Sequence, residues 1–211
     1  MLHIMTAKER ILLKAGDLFD KYGIRSVTMD DIASQLGMSK KTIYLSYKDK
    51  DELVDDVFQC RIMQSRNQCM FDRERAENPI HEVFLSMEMV GELLKSMHRN
   101  ILYDLEKYHP NVFAKYLQYK SEFIGKIISE NLALGKEMGL YRSELNIDII
   151  TKVRLTTMML SFNNDLFPIS QFNGAEVEYE IIYHFLYGIS TPKGVKMVEK
   201  YKQKIKSYNT K

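Results

Sequence analysis

Apolar residues recur at intervals of three and four along nearly the whole chain, and β-branched runs and proline are scarce. The pattern predicts an all-α protein with no sheet. It divides once, near residue 50. In the first part, Ile11, Leu12, Ala15, Leu18 and Phe19 share one helical face, and Gly23 offers the left-handed residue that ends such a helix. Thr28 then reads as an N-cap with Asp31 in the capping-box position. Asp is shorter than the usual Glu, so the box is expected to be half made, and Val27 can staple onto Ile32. A second helix of about two turns carries Ile32, Ala33 and Leu36 before Gly37 breaks it. Ser39 caps a third, Lys40 to Tyr47, whose inner side is Ile43 and Tyr47 and whose Lys40, Lys41, Thr42, Tyr44 and Ser46 are available to face outward. Two short helices joined through Gly37, with small Ala33 at the crossing and Met38 as a plug, meet the needs of a helix-turn-helix.

Beyond residue 50, Asp49 or Asp51 can cap a fourth helix with a stripe of Leu53, Val54, Val57, Phe58 and Ile62. Its second half, Gln64 to Glu77, is polar in the manner of a segment bridging two domains. Asn78-Pro79 opens a fifth helix carrying Ile80, Val83, Phe84, Met87, Val90 and Leu94. A sixth is predicted over Asn100 to Lys107, and a seventh over Asn111 to Glu137, ending at Gly139. An eighth follows Asn146 from Ile147 to Phe162, and a ninth runs from Glu176 to Tyr187, ended by Gly188. The eighth and ninth carry more apolar residues than one buried face each requires. From Lys193 the tail holds seven lysines and one glutamate. With only Val195, Val198 and Ile205 on its apolar side, it is expected to be a loosely packed, solvated final helix.

Composition narrows the function classes. The chain has 211 residues, a net charge of +2, 45% hydrophobic and 27% charged residues, which excludes disorder and allows one large domain or two small ones. No stretch approaches the roughly 18 consecutive apolar residues of a membrane span, and Met1 to Arg10 lacks the pattern of an export signal, so a cytoplasmic protein is expected. Cys60 and Cys69, on one helix, would point about 180° apart. A predicted break at Arg99, with Pro110 just past His109, argues against one continuous helix carrying His98 and His109. Neither pair suits a metal, and neither a metal nor a cofactor is expected. No phosphate loop, nucleophile motif or spaced carboxylate pair suggests an enzyme.

Ile11-Leu12 through Phe19, Gly23, Val27-Thr28, Ile32-Ala33, the run Gly37-Met38-Ser39-Lys40-Lys41-Thr42-Ile43-Tyr44, Tyr47 and Lys48-Asp49-Lys50-Asp51-Glu52-Leu53 together resemble, without a gap, the DNA-binding domain of the TetR family of transcriptional regulators. The resemblance implies a helix-turn-helix DNA-binding domain over residues 1–50 and a helical effector-binding and dimerisation domain over 51–211. It implies that Lys40, Lys41, Thr42 and Tyr44 face the major groove and its flanking phosphates, behind the cap Ser39. Thr28 and Lys50 would hold the DNA backbone from two helix N-termini, and Tyr47 would be core. One departure is plain: the family often has an aromatic residue or His just after this tyrosine of the third helix, where this chain has Leu45 and Ser46. Residues 40–50 carry four lysines against Asp49, yet the first 60 hold nine Lys and Arg against ten Asp and Glu. Positive charge is therefore confined to the reading helix and its flanks, and non-specific DNA affinity should be modest.

The middle third is rich in Met and aromatic residues. Each alone reads as core. Together Phe84, Met87, Met97, Tyr103, Tyr116, Tyr119 and Phe123 are candidate contacts for a small-molecule effector, which the resemblance places among helices four to seven. The apolar surplus of the last two predicted helices, Ile149, Val153, Phe162 and Phe185 among it, fits the isologous four-helix dimer interface that the resemblance implies. The expected protein is a homodimeric repressor, released from a palindromic double-stranded DNA operator by a small molecule and without membrane partners. The competing reading is a helical small-molecule or partner-binding protein that uses its helix-turn-helix only for packing.

Overall fold

A computed structural model describes the backbone of residues 5–209 and the side chains as far as residue 204. Among these the chain forms eleven α-helices: α1 Ala7–Tyr22, α2 Met29–Leu36, α3 Lys40–Ser46, α4 Lys50–Arg75, α5 Pro79–Ser96, α6 Ile101–Tyr108, α7 Pro110–Tyr119, α8 Gly125–Glu137, α9 Ile147–Thr157, α10 Gly174–Ile189 and α11 Pro192–Asn209. The described residues contain no strand, only an isolated antiparallel bridge between Tyr141 and Ser190. No described helix is long and apolar enough to cross a membrane. The helices form two compact units. One holds the residues up to Ser65 with Ser96–Leu117, the other Arg66–Lys95 with the residues from Gln118 on.

In the first unit α1 packs on α2 and α3, and α2 on α3. Ile11, Phe19, Ile24, Ile32, Ile43, Tyr47 and Leu53 lose all solvent contact, each aliphatic one stabilising the fold by about 1.5–3 kcal/mol. The Thr28–Asp31 capping box is complete. Asp31 donates its amide to Thr28 Oγ1 at 3.1 Å and accepts the Thr28 amide at 2.8 Å, so the short side chain reaches after all. Gly37 ends α2 at φ 61°, ψ 30°, and its amide and that of Met38 close onto the last turn of the helix.

The core of the second unit gathers Ile80, Phe84 and Met87 of α5, Leu132 of α8, Ile182, Tyr183 and Leu186 of α10, and Val198 and Tyr201 of α11. Several elements differ from the sequence expectation. The predicted seventh helix is α7 and α8 joined by a π-helical turn, Lys120–Ile124, which shifts the phase of the face that follows. The predicted eighth ends at Thr157 and gives way to a 3₁₀ turn, Leu160–Phe162. Thr156 and Thr157 bond back to the carbonyls of Lys152 and Arg154 at 2.9 and 3.2 Å, a habit that weakens a helix. Gly188 does not stop α10, which runs on to Ile189 before Pro192 opens the next helix. The polar half of α4 is not bare: Asp72 is buried and accepts from Gln68 and Arg75.

The tail is not loosely packed either. Val198 and Tyr201 are buried, and the Tyr201 hydroxyl donates to Glu77 at 2.9 Å and accepts from Asn78 at 2.8 Å. The side chain of Ile205, expected on the same face, and the first four residues of the Met1–Arg10 segment lie outside what the structure describes.

Candidate nucleic-acid interface and apolar cavity

The helix α3 is oriented by Ile43 and by Tyr47 just past its end, both with no solvent exposure. The opposite side is therefore presented to solvent, with Lys40, Lys41, Tyr44 and Leu45 exposed and Thr42 and Ser46 half-buried. Ser39 Oγ accepts the Thr42 amide at 3.1 Å and lies 2.9 Å from the Thr42 hydroxyl, which fixes the first turn. Lys40 Nζ rests 2.6 Å from Asp30 in a solvent-exposed pair that a phosphate can displace. Among the described residues the Lys41 side chain has no hydrogen-bond or ion-pair partner. Thr28 is exposed, but its hydroxyl donates to Asp31 at 2.6 Å.

Lys50 is placed differently. Its side chain is half-buried and its ammonium donates to the Ile24 carbonyl at 2.6 Å, so a phosphate contact requires that bond to break. Burial draws its pKa down, opposed by Asp104, Asp51 and Asp31. Asp104, on α6, is itself buried and accepts the Arg25 amide at 3.0 Å. The turn between α1 and α2 is thus held by one cation and one carboxylate. Asp104→Ala strands the Arg25 amide and should destabilise the protein by about 1–3 kcal/mol, with Asp104→Asn, which keeps an acceptor, losing less. Urea denaturation measures both, and equal losses would contradict this role.

The seven candidate effector contacts are not brought together. Phe84 and Met87 are buried in the core of the second unit, and Phe84 packs on Tyr201 at 5.5 Å between ring centroids. Tyr119 stacks on Phe123 at 5.6 Å, with Arg66 over both rings. Met97, Tyr103 and Tyr116 belong to the first unit. Of these Met97 is buried, Tyr103 is exposed and accepts from Lys107 at 2.9 Å, and burial pushes the Tyr116 phenol up to about 12.

The second unit does contain an apolar cavity of about 100 Å³, and none of the seven lines it. Its walls come from Val83, Ser86 and Val90 of α5 and Ile128 and Leu132 of α8, with Ile124 before them and Phe185 of α10. Charged and amide side chains also line it: Asp72, Glu82, Asn131 and Arg154. Asn131 donates to Glu82 Oε2 at 2.7 Å and to the Pro79 carbonyl at 2.9 Å, and accepts from the Tyr141 hydroxyl at 3.1 Å. Burial raises the Glu82 carboxyl pKa, with Asn131 and Arg73 opposing. Arg154 Nη2 donates to Glu178 Oε1 at 3.1 Å, while Glu178 Oε2 accepts from Ser161 at 2.8 Å. Among the described residues no three His, Cys, Asp or Glu gather as metal ligands would. His109 Nδ1 instead lies 2.7 Å from Asp51.

Residues 11–57, which hold α1 to α3 and the start of α4, match the model of the family described as bacterial regulatory proteins, tetR family. The chain is 32% identical over 108 residues to the uncharacterized HTH-type transcriptional regulator YvaF of Bacillus subtilis (strain 168), an alignment that spans 48% of this chain and about half, 53%, of that relative. It is 22% identical over 159 residues to the biofilm operon icaADBC HTH-type negative transcriptional regulator IcaR of Staphylococcus aureus (strain Newman), covering 74% of this chain and 79% of that one. The crystal structure of a TetR-family transcriptional regulator from Marinobacter aquaeolei VT8 superposes with a TM-score of 0.71 at 20% identity, over 95% of this chain and 98% of that chain. Residues 11–57 thus carry the N-terminal domain of the TetR family of transcriptional regulators.

Two features of these sites escaped the sequence. Leu45, at 78% exposure the most exposed of the large apolar side chains, stands on the outward side of α3 where the pattern alone suggested only a departure. The buried charges of the second unit left a faint sign at most, since Glu82 precedes Val83, Arg154 interrupts Val153 and Leu155, and Glu178 interrupts Val177 and Tyr179. Such an interruption marks either a solvated position or a buried network, and only the packing distinguishes them.

Proposed function

We propose that this protein is a homodimeric TetR-family repressor that reads a palindromic operator with α3 and releases it when a small molecule occupies the cavity of the second unit. The observation that carries the DNA reading is the outward set on α3: an unpaired Lys41, an exposed Tyr44 and an exposed Leu45 on a short helix locked by its cap and by Ile43 and Tyr47. Lysine suits guanine or phosphate, and an exposed leucine suits the thymine methyl group. The role of IcaR as a negative regulator supports repression. Dimerisation is supported by Ile149 and Val153, four apart on α9 and 58% and 46% exposed. Release is supported by α4, one helix whose residues belong to both units.

Selection of bound duplexes from a random-sequence pool tests the reading. A pseudo-palindrome should emerge, with half-sites about 34–36 Å apart centre to centre. No enrichment would contradict it. On the selected site, Lys41→Ala should cost about 1–3 kcal/mol and relax preference at one position. Leu45→Ala should remove the preference for thymine over deoxyuridine at another. Equal losses on selected and random duplexes would sink the assignment of both residues.

A further inference from the structure

The cavity of the second unit has a definite chemistry. Its wall is apolar, and a volume of about 100 Å³ is of the order that receives a single ring or a short branched chain. Two atoms of its lining residues are buried without a hydrogen-bond partner, Arg154 Nη1 and Glu82 Oε1. A guanidinium carries only donors, so the free N–H of Nη1 wants an acceptor. Glu178 is not available for it. One carboxylate oxygen already takes Nη2 and the other is held by Ser161. Phe185, 5.7 Å from the guanidinium carbon, flanks the group and also lines the cavity.

The charges around the cavity decide which acceptor. Arg154 is matched by Glu178, Arg73 by Glu130 at 2.5 Å and Arg75 by Asp72 at 2.9 Å. Only Glu82 is left over, 3.9 Å from the Arg73 guanidinium, and burial drives its carboxyl towards the neutral form. An incoming carboxylate would lie against Glu178 with no cation left to balance it, and an incoming ammonium would need the ionised form of Glu82 that burial opposes. A neutral acceptor meets neither obstacle.

We propose that this cavity binds a small, uncharged, apolar molecule carrying one carbonyl oxygen, such as a ketone, ester or lactone, with that oxygen accepting from Arg154 Nη1. The assignment rests on the reading of the cavity as the effector site. Four probes of similar size separate the chemistries: acetophenone, isopropylbenzene, benzoate and benzylamine, titrated into the full chain by calorimetry or ligand-observed NMR. Acetophenone should bind about tenfold or more tighter than isopropylbenzene, since the hydrocarbon leaves the buried donor unmade. Benzoate and benzylamine should bind more weakly than acetophenone. The preference for acetophenone over isopropylbenzene should vanish in Arg154→Met. If that variant fails to fold because Glu178 is stranded, the double variant Arg154→Met with Glu178→Gln removes the pair together and should show the same loss.

Equal binding of acetophenone and isopropylbenzene, as when water holds Nη1, would overturn the proposal. So would preference for either ion, or no binding of any probe. Measuring affinity for the selected DNA in parallel separates the two readings. Acetophenone bound with the predicted preference but without effect on DNA would refute the effector role and keep the chemistry. A compound that releases DNA equally from wild type and the Arg154 variant would refute the chemistry and keep the regulator.

Discussion

Gly135→Ala should destabilise the protein more than any other single methyl group added to a glycine of α8, by roughly 3 kcal/mol, at the upper end of what overpacking usually costs. A Cβ at that position would lie 2.0, 2.2 and 2.7 Å from Cδ2, Cε2 and Cγ of Tyr141. The ring cannot turn aside. It is 1% exposed, its hydroxyl is bonded to Asn131, and its own amide donates to the Gly135 carbonyl at 2.9 Å. The α8 backbone must move instead, and with it Asn131 and its bonds to Glu82 and Pro79. For a chain of this length the loss corresponds to a fall in Tm of about 6–12 °C. Gly188→Ala is the natural comparison, because its Cβ would meet nothing within 4 Å, and it should be neutral or stabilising by up to about 1 kcal/mol. Thermal denaturation followed by circular dichroism reads both, and a Gly135→Ala protein as stable as the wild type would refute the close approach.

Val153→Glu should convert a dimer to a monomer and weaken binding to a palindromic duplex by at least about a hundredfold, because each head then binds without the other. The substitution is chosen for what it spares. Val153 and Ile149 are exposed, whereas the next residue, Arg154, faces inward to Glu178, so a carboxylate at 153 costs the isolated chain little. Phe185, which the apolar surplus suggested for the same purpose, lines the cavity and would report on that instead. Light scattering and DNA titration decide the matter: a wild-type monomer at micromolar concentration, or a Val153→Glu dimer, would contradict the proposed interface.

The first fifty residues were legible because their signals are local. A cap and its partner three residues on, a glycine at a positive φ and the pair Ile43 and Tyr47 all act within a turn or two, and each appears where the pattern put it. The second unit was legible in the order of its helices, but not in the break before α8, the early stop of α9 or its inner chemistry. The stop of α9 depends on threonines bonding back to the helix, and the anchoring of α11 on a tyrosine finding Glu77 and Asn78 far away in sequence. The aromatic and methionine residues expected at a pocket went to the core and to ring stacking, except Tyr103, which is exposed. The cavity fell in part to Val83, Ser86 and Ile124, each one position away, and to polar residues, Glu82, Asn131 and Arg154 among them, whose partners are distant in sequence.

Specific recognition of DNA is the central claim, and fluorescence anisotropy tests it most directly. The full chain would be titrated, at physiological salt, into the selected pseudo-palindromic duplex and into a scrambled duplex of the same composition. The first 60 residues carry no excess of positive charge, so affinity for the scrambled duplex should be weak and the selected duplex should be bound at least about 10³-fold more tightly. Equal affinity for the two duplexes would contradict the account.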